Sequence, residues 1–228
     1  MMRARMGEMM AKVVADMMAS RMRIVFYSRI AVLIAAAMLA VPGLRAAESG
    51  SCVGGNPSSP IKIEVFSDYQ CPACRAFYLN TMRTILPEYA DTGKACVVYR
   101  EFPLQMHSHA REAARYGHAS LRLGVRQWAQ VSDALFMNQD TWAANGDIES
   151  VVAKVLGKAD LDALHNELKN TASLDAAITA DTALATQRGV NSTPTFFVTA
   201  KGKTEKIAAA VQYPILKRYL ESLLAPGQ

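Results

Sequence analysis

The chain has 228 residues, enough for one large domain or one domain with an insertion, and 51% of them are hydrophobic. Its formal net charge is +5, but residues 1–46 hold seven basic and two acidic side chains, so the rest of the chain has 18 of each sign. The balanced charge of that remainder argues against a nucleic-acid-binding protein.

Residues 1–46 have the layout of a secretory signal peptide. Basic residues precede the apolar run "IAVLIAAAMLAV", and small residues in "LRAAES" place the cleavage site after Ala46. The apolar run is shorter than the ~20 residues that span a bilayer. The Met-rich stretch before Met22 is longer than an ordinary basic segment, so we expect translation to start at Met22. The alternative is an uncleaved membrane anchor.

The first part of the mature chain alternates between loop, strand and helix signals. Residues 47–60 are rich in Gly, Ser and Pro and predict a loose N-terminal arm. "IKIEVFS", residues 61–67, predicts a strand, and apolar residues at helical spacing predict a helix from Pro72 to about residue 89. "KACVVYREF", residues 94–102, predicts a second strand.

The next part of the chain, residues 106–185, shows only helical signals. Within it, Asp147, Asp160 and Ser173 are predicted helix caps, and Gly189 ends the last helix. Strands are then predicted at residues 195–200 and 204–211, and a final helix at residues 214–224.

Cys71 and Cys74 stand two residues apart in "FSDYQCPACRAFYLN", where a strand gives way to a helix. A zinc site usually needs four ligands, and the other cysteines, Cys52 and Cys96, are far apart in sequence. A structural disulfide gains little from closing so short a loop. A redox pair fits best, because a helix N-terminus stabilises a thiolate.

Three motifs in order, "FSDYQCPAC", "YREFPL" and "GVNSTPTFFV", resemble those of DsbA-like thiol:disulfide oxidoreductases of the thioredoxin superfamily. The resemblance covers residues 60–224. It implies an α/β protein: a thioredoxin fold with an inserted all-helical domain. The thioredoxin-like domain then comprises residues 61–105 and 186–228, and the helical domain residues 106–185, in agreement with the helical signals there.

The resemblance also implies roles for individual residues. Cys71 and Cys74 become the catalytic pair, separated by Pro72 and Ala73. Pro194 matches the family's cis-proline, which leaves the backbone of the preceding Thr193 free to pair with an extended client. From the residues alone, a trans proline at the start of a strand is the simpler interpretation. The best-known strong oxidant of the family has Pro-His between its cysteines, so Pro-Ala leaves the oxidising strength open.

A second disulfide is implied by the same fold. In a thioredoxin fold, the N-terminal arm lies beside the strand that begins near residue 94. We therefore expect Cys52 and Cys96 to form a structural disulfide, the alternative being two free thiols.

The resemblance implies an extracytoplasmic, in bacteria periplasmic, enzyme that introduces disulfides into exported proteins without a cofactor or metal. Its partners would be reduced or misoxidised clients and a membrane quinone-linked thiol oxidase, with no stable membrane insertion after signal cleavage. The alternatives are a disulfide reductase or isomerase on the same fold, or a soft-metal-binding protein that uses the two thiolates as ligands.

Further predictions concern two carboxylates and the four histidines. Glu64 is a candidate proton acceptor for Cys74, because burial raises the pKa of a carboxyl group, and Asp68 is expected to be exposed. The first two histidines are expected near a helix start capped by Ser108 and not at a metal site. The other two are expected to be solvated; the four are His107, His109, His118 and His165.

Overall fold

The computed structural model describes residues 51–225, so the predicted signal peptide, residues 1–46, lies outside the described residues. A four-stranded sheet has the order β2-β1-β3-β4. β1 runs parallel to β2 and antiparallel to β3, and β3 runs antiparallel to β4. The strands are β1 Ile61–Ser67, β2 Ala95–Glu101, β3 Thr195–Ala200 and β4 Lys203–Ile207. The fold is the predicted thioredoxin fold, with β4 ending earlier than its sequence indicated.

Each face of the sheet is covered by helices. Side chains alternate along a strand, so Ile63 and Val65 face one side and Phe66 faces the other. On the first side lies the main core, where the Phe77 and Phe196 rings stack with centroids 5.1 Å apart. On the second side a smaller apolar cluster contains Phe66, Phe197, Ala185 and Val190. Both phenylalanines of the "TFFV" strand are therefore buried, one on each face.

The chain after β1 is helical from Pro72 to Ala90, as predicted, but not uniformly α-helical. Two short α-helices, α1 Pro72–Phe77 and α2 Arg83–Ile85, alternate with π-helical segments at Tyr78–Met82 and Leu86–Ala90. Pro87 lies in the second π segment. Proline has no N–H to donate, and its ring crowds the carbonyl four residues earlier, which favours a locally widened helix.

The chain between β2 and β3 contains only helices among its regular elements. They are α3 Ala110–Leu123, α4 Val125–Met137, α5 Gln139–Trp142, α6 Ile148–Val152, α7 Lys158–Leu168 and α8 Thr171–Gln187. Large apolar side chains form their interior, and Trp128, Leu135 and Trp142 are fully buried. A final helix, α9 Tyr213–Leu224, packs beside β1 with Leu216 and Leu220 buried.

The predicted helix caps are right at one position and wrong at two. Asp147 caps α6, and its side chain accepts a hydrogen bond from the Ser150 N–H. α7 and α8 begin earlier than predicted, with Gly157 and Asn170 at their N-caps. Asp160 therefore lies in the first turn of α7, where an acidic side chain favours the positive end of the helix dipole. Ser173 likewise lies inside the first turn of α8 and does not cap it.

Among the described residues, no helix is long and apolar enough to cross a membrane.

Candidate functional site

Cys71 lies at the junction of β1 and α1, where it is the N-cap residue of the helix. Its backbone is extended, with φ −77° and ψ 123°, and Pro72 occupies the first turn. The Gln139 side-chain amide, from α5, donates to the backbone carbonyls of Cys71 at 3.1 Å and of Tyr69 at 2.7 Å. The inserted helices therefore hold the turn that presents the first cysteine.

The two thiols of the motif are free, and their environments differ. The Cys71 pKa is lowered to about 5, chiefly by a hydrogen bond from the Cys74 thiol. Burial opposes this change, while Thr193 and the backbone N–H groups of Cys74 and Ala73 lower the Cys71 pKa further. The Cys74 side chain is fully buried. Burial is the largest cause that raises the Cys74 pKa well above the ordinary value, and the neighbouring Cys71 is the second. At neutral pH, Cys71 is thus a thiolate beside a protonated Cys74.

The Thr193–Pro194 peptide bond is cis and lies beside Cys71. The Cys71 Sγ is 3.6 Å from the Thr193 carbonyl oxygen. The structure thus has the cis geometry that the resemblance implied and brings Thr193 to the first cysteine.

Asp68 is buried, with 1% of its surface exposed, so the expectation of an exposed side chain is wrong. Its carboxylate accepts hydrogen bonds from the backbone N–H groups of Gln70 at 2.7 Å and Leu104 at 2.8 Å. The His107 Nδ1 lies 2.7 Å from the same carboxylate. The loop after β2 therefore closes over the turn before Cys71, a contact that local sequence does not specify.

Two of the other three histidines also have carboxylate neighbours. His109 is the N-cap residue of α3 but makes no side-chain cap hydrogen bond, and the helix begins after the predicted Ser108 cap. His118 Nε2 lies 3.3 Å from Asp181, and His165 Nε2 lies 2.8 Å from Glu149. The His118 side chain is only 18% exposed, so the prediction of a solvated side chain is wrong for this residue. The His165 side chain is 43% exposed and is solvated, as predicted.

Glu64 is not placed to accept a proton from Cys74, so that prediction is wrong. Alternation along β1 puts Glu64 on the face opposite to Ile63 and Val65, and these two residues belong to the core cluster that contains Cys74. Burial favours a raised pKa for Glu64, but the hydrogen bonds and charge of Arg100, aided by Lys62 and Arg188, outweigh it and lower the pKa.

Glu101, at the end of β2, is the buried carboxyl group that the sequence reasoning missed. Only 3% of its surface is exposed, and burial, aided by the charges of Asp181 and Asp68, raises its pKa well above the ordinary value. The sequence "YREF" does contain an indication that Glu101 is buried. Alternation along a strand places Tyr99 and Glu101 on the same face as Val97, towards the core.

Cys52 and Cys96 form the predicted disulfide, with Cα atoms 5.4 Å apart. The adjoining arm also pairs with β2, because the Val53 N–H donates to the Val97 carbonyl at 2.7 Å and the Val97 N–H donates to the Gly54 carbonyl at 2.9 Å. Cys96 is near the start of β2, at the end of the parallel strands remote from Cys71. This disulfide therefore fixes the arm to the sheet edge, away from the CxxC pair.

Residues 47–221 match the family model described as Thioredoxin. The chain is 24% identical over 148 residues to the "Probable disulfide bond formation protein D" of Bacillus cereus, covering 63% of this chain and 68% of that protein. Solved structures share the fold. α-DsbA1 of Wolbachia pipientis has a TM-score of 0.62 at 23% identity, with 74% of this chain and 88% of that one covered. Oxidised BdbD of Bacillus subtilis has a TM-score of 0.59 at 20% identity, with 77% and 97% covered. With its mixed sheet, its helical insertion and its CxxC at a helix N-terminus, the chain belongs to the thioredoxin family.

Proposed function

We propose that the chain is a thiol:disulfide oxidoreductase that introduces disulfides into exported proteins. The observation that carries the proposal is the unequal pair at the α1 N-terminus: an acidic Cys71 thiol and a buried Cys74 thiol with a raised pKa. A thiol of low pKa is a good leaving group in disulfide exchange. The protein with the "disulfide bond formation" name in Bacillus cereus supports the same activity.

The oxidising cycle starts from a Cys71–Cys74 disulfide. A client thiolate attacks Cys71 Sγ, the bond between the two cysteines breaks, and Cys74 leaves with the electron pair. A second client thiolate then attacks the client sulfur of the mixed disulfide, and Cys71 leaves as a stabilised thiolate. The client gains a disulfide and the enzyme gains the dithiol form. No metal or organic cofactor takes part in these steps.

The cis peptide segment is proposed to hold the client. Pro194 and Thr193 lie beside Cys71, with the Thr193 carbonyl 3.6 Å from its sulfur. An extended client segment that pairs with the Thr193 backbone would bring its own cysteine to Cys71, and main-chain hydrogen bonds accept many sequences. That property suits an enzyme with many clients.

Export and reoxidation complete the proposal. A cleaved signal peptide would deliver the enzyme to an extracytoplasmic compartment, in bacteria the periplasm, where disulfides persist. The dithiol must return to the disulfide form after each client. A membrane thiol oxidase linked to quinone is the proposed acceptor of its electrons.

The rival functions differ in what they need from the site. A reductase or isomerase would use the same two thiols, and the direction then depends on the reduction potential. A zinc protein usually needs four ligands, and among residues 51–225 no three His, Cys, Asp or Glu side chains are grouped to hold an ion. A copper(I) protein would need only the two thiolates, and stoichiometric copper(I) binding without oxidative refolding activity would favour that function.

The proposed function is tested by oxidative refolding of a reduced, unfolded client. The wild-type protein, supplied in its disulfide form, is expected to accelerate the recovery of client activity, and Cys71→Ser is expected to abolish the acceleration. Cys52→Ser with Cys96→Ser is the matched control, because it removes the other cysteine pair and leaves the CxxC site. Equal refolding rates with the wild type and Cys71→Ser would contradict the proposal.

A further inference from the structure

The turn at residues 69–71 and helix α5 exchange hydrogen bonds in both directions. The side-chain amide of Gln139, the first residue of α5, donates to the carbonyls of Tyr69 at 2.7 Å and of Cys71 at 3.1 Å. In return, the side-chain amide of Gln70 donates at 3.0 Å to the carbonyl of Ala143, the C-cap residue of α5. Each segment thus holds the backbone of the other through a glutamine.

The hydrogen-bond partners fix the orientation of both side-chain amides. Carbonyl oxygens can only accept hydrogen bonds, so the Gln139 nitrogen must face Tyr69 and Cys71. Gln139 is buried, with 4% of its surface exposed. The Gln70 Oε1 accepts at 2.8 Å from the backbone N–H of His109, the N-cap residue of α3. Gln70 therefore joins the turn to two helices of the insertion, which keeps Gln139 within reach of the Cys71 carbonyl.

The Cys71 carbonyl is the point at which this contact can act on the sulfur atom. Proline has no N–H, so hydrogen bonds can hold the peptide plane between Cys71 and Pro72 only at its carbonyl oxygen. That oxygen accepts from Gln139 and, at 3.0 Å, from the backbone N–H of Arg75 in α1. The peptide plane is therefore fixed both to the insertion and to α1.

The orientation of this peptide plane determines where the sulfur atom lies relative to α1. Rotation about the Cα–C bond of Cys71 turns its side chain relative to the carbonyl group and to the helix that follows. Cys71 is the N-cap residue of α1, and an N-cap side chain lies beside the N–H groups of the second and third helical residues, here Ala73 and Cys74. These two N–H groups lower the Cys71 pKa. A carbonyl free to rotate would let the sulfur atom move away from them.

We propose that Gln139, kept in place by Gln70, is a positioning residue for disulfide exchange, because its hydrogen bond to the Cys71 carbonyl holds the sulfur atom beside the first N–H groups of α1. The inference rests on the proposed function of the CxxC pair. Gln139 acts through the backbone and takes no part in the transfer of electrons or protons. The inserted helices thereby influence how well the thiolate of Cys71 is stabilised.

A positioning role and a purely structural role differ in their effect on the two redox forms. The loss of hydrogen bonds that only support the fold destabilises the dithiol and disulfide forms alike, so the redox equilibrium would not change. The disulfide form has no thiolate to stabilise, so the loss of a positioning contact destabilises the dithiol form more. The redox equilibrium therefore distinguishes the two roles.

The test uses Gln139→Met, which keeps an unbranched side chain of similar length and removes the hydrogen-bond donor. The rate of alkylation of Cys71 by iodoacetamide is measured against pH on the reduced CxxC pair, with the Cys52–Cys96 disulfide intact. The alkylation midpoint is expected to rise by about one pH unit. The redox equilibrium with glutathione at neutral pH is expected to shift about tenfold towards the disulfide form.

Two further variants keep the test decisive. Trp142→Phe is the matched control, because it removes another buried hydrogen bond of α5, from the indole to the Leu135 carbonyl at 2.7 Å, which does not involve the turn. It should lower the urea midpoint and keep the wild-type alkylation midpoint and redox equilibrium. Gln70→Met changes a half-buried side chain and should shift both measurements in the same direction as Gln139→Met, and it carries the test if Gln139→Met does not fold.

An unchanged alkylation midpoint and redox equilibrium in Gln139→Met, or in Gln70→Met if only that variant folds, would overturn the positioning role. Equal shifts in Trp142→Phe would also overturn it, because any destabilisation of α5 would then suffice. Failure of the wild type to accelerate client refolding would instead contradict the proposed function, which the alkylation of Cys71 does not test.

Discussion

At the scale of single residues, the two cysteines differ in what surrounds their sulfur atoms. Cys71 is stabilised as a thiolate by its hydrogen bonds, while Cys74 is enclosed in the core beside Ser67. Cys71 keeps 6% of its surface exposed and Cys74 none. Cys71 is therefore the sulfur atom that a client reaches first, and Cys74 remains inside to complete the exchange.

The largest cause of the low Cys71 pKa is the hydrogen bond from Cys74. Cys74→Ala removes that donor and is expected to raise the Cys71 pKa above about 5. The rate of alkylation by iodoacetamide, measured against pH, reports the midpoint. Because the thiolate reacts, alkylation of the wild type should level off at a lower pH than that of the variant. The same midpoint in both proteins would rule out Cys74 as the main donor.

Ala73, the second of the two residues between the cysteines, should influence the reduction potential of the pair. Ala73 is exposed and offers only its backbone N–H to Cys71. Ala73→His adds an imidazole that can bear a positive charge, so the Cys71 pKa should fall and the reduced form gain stability. We expect the redox equilibrium with glutathione to shift about tenfold towards the reduced enzyme, or about 30 mV. Ala73→Gln, similar in size but uncharged, is the control; an equal shift in both would exclude the charge as its cause.

The two buried glutamates should give opposite dependences of stability on pH. Because the Glu101 pKa is raised in the folded protein, the native state keeps a proton that the unfolded chain releases. Glu101 therefore lowers the free energy of unfolding increasingly as pH rises from the ordinary carboxyl range to the pKa of the folded state. Glu101→Gln should therefore be more stable than the wild type at neutral pH.

Glu64 has a lowered pKa, so its stabilising effect is present above the ordinary carboxyl range and is lost as pH falls through the folded value. Glu64→Gln should lower the free energy of unfolding by about 3 kcal/mol at neutral pH, because Arg100 loses its charged partner. Urea unfolding of both variants across pH measures these effects. Parallel pH dependences in the two variants would contradict the assignment.

At the scale of elements, the N-terminal arm is joined to β2 by a disulfide and by backbone pairing. The disulfide closes a loop with a sequence separation of 44 residues, for which the chain-entropy model gives about 4 kcal/mol. Cys52→Ser with Cys96→Ser should lower the free energy of unfolding by that order, as measured by urea unfolding of the oxidised proteins. The Cys71 pKa should stay at about 5. An unchanged urea midpoint would show that the disulfide contributes no stability.

The elements that the sequence predicted well are those with a local signature. Alternating β-branched residues predicted β1 and β3, and Pro72 after Cys71 predicted the start of α1. The predicted N-caps at Asp160 and Ser173 are wrong because several residues near each helix start can occupy the N-cap position, and tertiary packing selects among them. The burial of Asp68 and the position of Glu101 depend on a loop and helices distant in sequence.

At the scale of the whole molecule, the CxxC pair and the second disulfide lie at opposite ends of the parallel strands. Disulfide exchange at Cys71 can therefore proceed without disturbing the Cys52–Cys96 disulfide. The inserted helices support the catalytic turn through Gln139 and enclose Glu101 through α3. The insertion is thus part of the site as well as its cover.

The predicted signal peptide, residues 1–46, should be cleaved off when the protein is exported. We expect the mature protein to begin after Ala46, because small residues follow the apolar run there. N-terminal sequencing of the protein from the extracytoplasmic fraction measures this directly. A mature protein that retains residues 30–41 would show a membrane anchor in place of a cleaved signal.

The central claim is that the Cys71 thiolate makes the enzyme an oxidant, and the reduction potential tests it most directly. The potential is obtained from the redox equilibrium of the CxxC pair with glutathione, read by alkylation and mass spectrometry. A thiolate with a pKa of about 5 stabilises the reduced form, so we expect a potential well above that of thioredoxin, which is about −270 mV. A potential at or below the thioredoxin value would contradict the oxidase and indicate a reductase.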